Sequence, residues 1–283
     1  MVTDTAKRKA QDFVPDSQKM NRVRPATNAL FVAMFVVLAA MAIIPVIFVF
    51  IVSISSETSI REVGYSFFPI ELSNTAYMFL WNERGTIFQA LFISVSVTVL
   101  GTLIGGILAI PFSFLASDKI VPGWVAFLFR AFILMIRTIP SLVWALVWIR
   151  VTGPNAFCGV VTQSICSIGM ISKMYITAIA DVDTRILESL DAAGCTAFQK
   201  IRYGLLPQII PNFISTVIYR FDINVKDATT LGIVGAGGIG ASLVQCISSR
   251  RWSMVGAFLC GMIVLMLVIE FASTRIRRRL AHG

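Results

Sequence analysis

Apolar positions along the chain gather into long runs, not a stripe on one face of otherwise polar elements. From Ala29 to Ile54 the run is nearly unbroken, longer than the roughly 20 residues that cross hydrocarbon at about 1.5 Å per residue. It predicts a first span over about 28–54. It is too long for a signal-peptide core and lacks a small-residue cleavage pattern. A polar stretch from Ser55 to Gly85, with Trp81 as an interfacial anchor, reads as the first outside loop. A second span is predicted from about Thr86 to Ala116, with Gly101, Gly105 and Gly106 for close helix contact and Pro111 for a kink. After the Ser117–Gly123 turn, a third runs to about Ile149, interrupted by Arg130, Arg137 and Pro140. A fourth, Ala156 to Ala180, is weakened by Thr162, Gln163, Ser164, Ser172 and Lys173. The fifth, Gln208 to Leu231, is weaker still, and the last, Met254 to Thr274, is strong. The pattern predicts an all-α integral membrane protein of about six transmembrane helices.

Composition agrees: 57% of residues are hydrophobic and 14% charged, too few charges to cover a water-facing surface. The net charge of +9 raises nucleic-acid binding, but the basic residues lie beside apolar segments, not across one soluble face. Lys7, Arg8, Lys9, Lys19, Arg22 and Arg24 occupy the N-terminal arm, and Arg275, Arg277, Arg278 and Arg279 the C-terminal end. With six crossings, 14 of the 24 basic residues fall inside and 5 outside, which predicts both termini in the cytoplasm. The expected division is a cytoplasmic arm over 1–27, a transmembrane domain over 28–275 and a basic tail over 276–283. No nucleic-acid partner is expected; the lipid bilayer is.

Candidate chemistry is sparse. Cys158, Cys166, Cys195, Cys246 and Cys260 show no CxxC spacing and read as small apolar packing residues. The one histidine, His282, lies beside the arginine tail. Neither a catalytic set nor a metal site is expected.

The remaining five basic residues, Arg130, Arg137, Lys173, Arg220 and Lys226, fall inside predicted spans, where a charge costs roughly 2.5–3.5 kcal/mol on insertion scales and normally faces protein or a wet cavity. The fifth span concentrates polar groups: Arg220, Asp222, Asn224, Lys226, Asp227, Thr229 and Thr230. At 100° per residue Arg220, Asn224 and Asp227 share one face, while Asp222 and Lys226 form an i,i+4 pair on roughly the opposite one. Two readings stay open: charges that fix helix packing, and a polar path. Arg220 and Lys173 are the candidates to meet an anion.

The nonapeptide 232–240 holds five glycines. Gly235, Gly237 and Gly240 satisfy GxGxxG, but a charged span precedes it and no acid follows before Glu270, against a dinucleotide site. With Gly238 these residues read as a flexible or closely packed gate segment at membrane depth.

Between the fourth and fifth spans, residues 181–207 are too patterned for a linker. Asp181 or Asp183 can cap a helix through Leu190 that ends at Gly194, and a second short helix carries Phe198, Ile201 and Leu205. This stretch resembles the EAA loop of permease subunits of ATP-binding cassette importers, E-A-A-x3-G-x9-I-x-L-P. Glu188, Gly194, Leu206 and Pro207 match in register, Ser189 and Leu190 replace the alanines, and Gly204 replaces the isoleucine. The runs 137–148 and 202–240 resemble permeases of the phosphonate-importer family.

The resemblance implies a type I importer permease fold with two short cytoplasmic coupling helices, in a bacterial inner membrane. Glu188, Asp191, Ala192, Gly194, Leu206 and Pro207 would couple to an ATPase. It implies a homodimer, two ATPase subunits that bind ATP and Mg, and an extracytoplasmic binding protein, the cargo being phosphonate or a related phosphorus oxyanion. This chain has no Walker A loop. The alternatives are a permease for another small solute such as methionine, and an ion-coupled secondary transporter.

Overall fold

The computed structural model describes residues 25–282; the arm expected over 1–27 lies almost wholly outside them. Apart from an isolated bridge between Ser55 and Leu72, every regular element among the described residues is helical. The chain divides after Phe50 into two units. The first holds most of α1 (Pro25–Ser53), whose apolar side chains are exposed as a lipid-facing helix requires.

In the second unit two short helices, α2 (Glu57–Val63) and α3 (Thr75–Asn82), precede α4 (Arg84–Leu115). Then come α5 (Gly123–Thr138), α6 (Ser141–Thr152), α7 (Ala156–Ala180), α8 (Thr184–Ala192) and α9 (Ala197–Gln199). A π-helical segment Lys200–Leu205 runs into α10 (Leu206–Ile233), followed by α11 (Ile239–Ser248) and α12 (Trp252–His282). α1, α4, α7 and α12 are long and apolar enough to cross a membrane; α10 is long enough but too polar.

The third span is not one helix. α5 and α6 are bent by 88° at their junction, because Pro140 lacks an N–H and pushes Ile139 into extended backbone, φ −87° and ψ 121°. The basic tail is not a separate segment either, since α12 continues through the arginines to His282.

The centre is the α4–α7 pair. A Cβ on Gly101 would stand 2.6 Å from the Cβ of Gln163, and one on Gly105 would collide with Ser167, so both glycines let the backbones approach. Below them Ala109, Ile171, Tyr175, Ile209 and Phe213 form an apolar core joining α4, α7 and α10, with the Tyr175 and Phe213 rings stacked at 3.6 Å. Two cations reach helix C-termini: Arg130 on α5 donates to Ala116 O at the end of α4 at 2.8 Å, and Lys119 in the α4–α5 turn donates to Ala180 O at the end of α7 at 2.7 Å.

At the opposite end of α12, Glu57 accepts from the amides of Trp252 and Ser253 at 3.1 and 3.0 Å, and from the Ser253 hydroxyl. A carboxylate thus caps a helix N-terminus from a distant segment. Partial burial pushes the Glu57 carboxyl up, but the donors from Ser253, Trp252 and Arg61 outweigh it and hold it below the ordinary 4.5. A lowered folded-state value means that this stabilisation is complete above pH 4.5 and is lost as pH falls further. Glu57→Gln is therefore expected to destabilise the neutral-pH protein by about 1 kcal/mol. In thermal denaturation the gap from wild type should close below pH 4.5; a gap independent of pH would refute the charged cap.

Candidate functional site

The polar face of α10 is buried where it meets α4 and α7. Arg220, Asn224, Gln163, Ser167 and Thr102 are all at least nine-tenths buried. Asn224 Nδ2 donates to Thr102 Oγ1 at 2.8 Å and Ser167 Oγ at 2.9 Å, while Gln163 Nε2 donates to the Asn224 carbonyl at 3.0 Å. Arg220 Nε donates to the same Ser167 Oγ at 3.1 Å, and its Nη1 meets Met170 Sδ at 3.2 Å. One hydroxyl on α7 therefore holds two residues a helical turn apart on α10. Asn224 Oδ1 and Gln163 Oε1 are buried without a donor, a state that normally costs about 1–3 kcal/mol per group.

The charges of α10 pair as the helical period expects, with one addition. Arg220 Nη2 and Asp227 Oδ2 are 3.9 Å apart, too long for a hydrogen bond, and Asp227 is the more exposed partner. Lys226 lies 3.6 Å from Asp222 and 3.3 Å from Glu270 on α12. Glu270 was not among the expected site residues; a lone acid in an apolar span was its signal. Thr229 turns towards Met262 Sδ at 3.7 Å. Lys173 is exposed on α7 and does not join the cluster. Gln163, Ser167 and Thr102 were also missed as site residues, although 163 and 167 share the i,i+4 spacing of Gly101 and Gly105.

The glycine segment links α10 to α11. Gly235, Gly237 and Gly238 have φ of 98°, 79° and 77°, and Ser94 Oγ on α4 accepts from Ile239 N at 3.0 Å. Gly240 lies inside α11, against Gly232 of α10. The hydropathy pattern predicts no span over α11: its ten residues are mainly apolar but too few to cross.

In the coupling loop Asp183, not Asp181, caps α8, its side chain accepting from Arg185 N at 2.9 Å. Glu188 is exposed, Asp191 pairs with Lys200 at 2.6 Å, and Ala192 ends α8. Gly194 takes φ 74°, the left-handed turn that closes helices. Thr196 and Gln199 cap the next helix reciprocally, Gln199 Oε1 accepting from Thr196 N at 2.8 Å. The second short helix does not stop: it passes through the π segment into α10 at Leu206 and Pro207. Gly204 explains its own departure from the resembled pattern. A Cβ there would stand 2.8 Å from both Leu187 Cδ2 and Leu190 Cδ1, so the large Leu190 and the absent side chain at 204 compensate.

Residues 101–282, covering the polar cluster, the coupling loop and the glycine segment, match the family model of binding-protein-dependent transport system inner membrane components. The chain belongs to this family. As such a component it is a transport subunit of an ATP-binding cassette importer. It is 33% identical over 198 residues to the phosphate-import permease protein PhnE of Mycolicibacterium smegmatis, covering 69% of this chain and 37% of that one. It is 32% identical to the putative phosphite transport system permease protein HtxC of Stutzerimonas stutzeri, covering 65% and 66%. The match thus spans just over a third of the first relative and about two thirds of the second. Similar folds occur in the inward-facing MetNI methionine transporter (TM-score 0.58, 22% identity, 69% of this chain and 95% of that) and in a bacterial alginate importer (0.65, 14%, 90% and 94%). The inner membrane component thus has the type I permease fold.

Proposed function

We propose that this permease forms, with a second copy of itself, the pathway of an importer for phosphonate, phosphite or phosphate. Two ATPase subunits bind ATP and Mg and dock on the 181–207 loop, an extracytoplasmic binding protein delivers the anion, and both termini lie in the cytoplasm. The observation that carries this reading is a mechanical connection. α8 packs on Gly204, Gly204 lies in the π segment, and that segment continues into α10 without a break. Arg220 is 13 residues beyond Pro207, about 20 Å along the same helix. A push on Glu188, Asp191, Ala192 or the Gly194 turn therefore reaches Arg220 along one rod.

In this conformation Arg220 is covered, its charge held by Ser167 and faced by Asp227 at the more open edge. Movement of α10 against α7 opens this edge and lets an oxyanion replace Asp227 beside the guanidinium. Asn224 keeps the register; Asp222, Lys226 and Thr229 line the flank towards α12, Lys173 offers a second cation, and Gly235, Gly237, Gly238 and Gly240 form the gate. The relatives named for phosphate and phosphite import support the cargo. In proteoliposomes with the ATPase and loaded binding protein, Arg220→Gln is expected to lower phosphite or phosphonate uptake at least tenfold while ATPase subunits still co-purify. Unchanged uptake would confine Arg220 to packing.

A further inference from the structure

We propose that Arg137 of α5 and Lys173 of α7 form a second station for the oxyanion, beside the one at Arg220. α7 supplies the frame. Its helical period puts Cys166, Gly169, Met170 and Lys173 on one face about 100° wide. From the α10 side Arg220 Nη1 reaches Met170 Sδ at 3.2 Å. From the α5 side the stem of Arg137 covers Gly169, where an added Cβ would stand 2.9 Å from Arg137 Cγ. Lys173 follows Gly169 by one turn on the same face, and by helical angle both Lys173 and Cys166 fall between the two arginines. Arg137 and Lys173 are exposed, Cys166 and Met170 half-buried. Three helices thus bring three cations to one partly open strip. The inference rests on the cargo proposed above being an oxyanion, but not on the role given there to Arg220.

The charge on this strip is not balanced by the chain around it. Between Asp118 and Asp181 the sequence holds no acid, so nothing on α5, α6 or α7 can neutralise either residue. Among the described residues neither forms an ion pair or a side-chain hydrogen bond. Asp227 faces Arg220 at 3.9 Å, and Asp222 and Glu270 pair with Lys226. Depth adds to the cost: Gly169 is 11 residues short of Ala180, where α7 ends, about 16 Å along the helix. Arg137 stands in the last turn of α5, where the helix dipole favours a cation, but that offsets only part of the cost of a charge held at that depth. Intramembrane cations without a protein partner mark an anion's route. A guanidinium and an ammonium facing one opening suit a tetrahedral oxyanion, the first through paired N–H donors and the second as a point charge.

The test keeps Cys166 as the probe, with Cys158→Ala, Cys195→Ala, Cys246→Ala and Cys260→Ala, in the full permease assembled with its ATPase. Modification of Cys166 by an anionic and by a cationic methanethiosulfonate, each rate divided by that on free 2-mercaptoethanol, reports the local potential. The anionic reagent is expected to be favoured at least about fivefold, and Arg137→Gln and Lys173→Gln each to lower that preference about threefold. Arg137→Lys, which retains the charge, should keep the preference, and so should Arg150→Gln, an exposed arginine on α6. In proteoliposomes with loaded binding protein, the double variant Arg137→Gln, Lys173→Gln should lower phosphite uptake about tenfold. If Arg137→Gln folds poorly, Lys173→Gln, at an exposed position, still reads the preference. No anionic preference in the wild type, no reaction with either reagent with or without ATP, or normal uptake by the double variant would each overturn the proposal. Loss of uptake in Arg220→Gln alone would remove this station and leave the Arg220 pathway standing; loss in the double variant alone would do the reverse.

Discussion

Gly204→Ile is expected to abolish ATP-driven uptake in reconstituted vesicles and to destabilise the permease by about 1–3 kcal/mol, the usual cost of overpacking. The position is buried, and its first added carbon already falls 2.8 Å from Leu187 Cδ2 and from Leu190 Cδ1. Those methyls can rotate away from one carbon but not from a branched side chain, so α8 must move off the π segment. The coupling helix is then no longer attached to α10. Adding Leu190→Ala empties the colliding volume, and the double variant should recover most of the stability and uptake. A double-mutant cycle in melting temperature and uptake measures this, with a coupling energy of about 0.5–3 kcal/mol expected for side chains in contact. Additive losses would show that the residues do not share a space and would cut the proposed link between loop and span.

This exchange of volumes was legible only in part. The resembled pattern marked both Leu190 and Gly204 as departures, but sequence spacing says nothing about which residues meet across a helix turn. The same limit governs the polar cluster. Helical period places Arg220, Asn224 and Asp227 on one face, because 100° per residue is local geometry. That this face meets Ser167 and Thr102 depends on how α4, α7 and α10 are rotated about their axes, which tertiary packing decides. Lys226 shows the ambiguity: Asp222 is its partner by spacing, and Glu270, 44 residues further along the chain, joins at 3.3 Å from another helix. Proline chemistry, by contrast, is local. Pro140 was marked as an interruption, although its 88° consequence was not read.

The hydropathy runs located the apolar spans because a bilayer imposes length directly. They assigned no element to most of α11, whose ten residues are half of what a span needs. They also ended the last span at Thr274, since charge stops a hydropathy run without stopping a helix. Arginine has high helix propensity, and α12 continues through the cluster.

For the glycine segment, the sequence left flexibility and close packing open, and the structure separates them residue by residue. Gly240→Ala is expected to be the most damaging single change there, about 3 kcal/mol or more at the upper end of overpacking. Its added carbon would collide with the Thr229 carbonyl and stand 2.8 Å from Gly232 Cα, both backbone atoms that no rotamer change can move. α10 and α11 would have to separate, and with them the contact of Ile239 with Ser94. Gly237→Ala meets nothing closer than 3.9 Å; its φ of 79° costs about 1–2 kcal/mol for an L-residue. Thermal denaturation should rank Gly240→Ala well below Gly237→Ala. Uptake by the folded fraction then identifies the gate. If the left-handed turn itself must change during transport, Gly237→Ala loses uptake while keeping most of its stability. If the segment is a fixed brace, uptake in both variants follows the amount of folded protein, and the moving part is α10 alone.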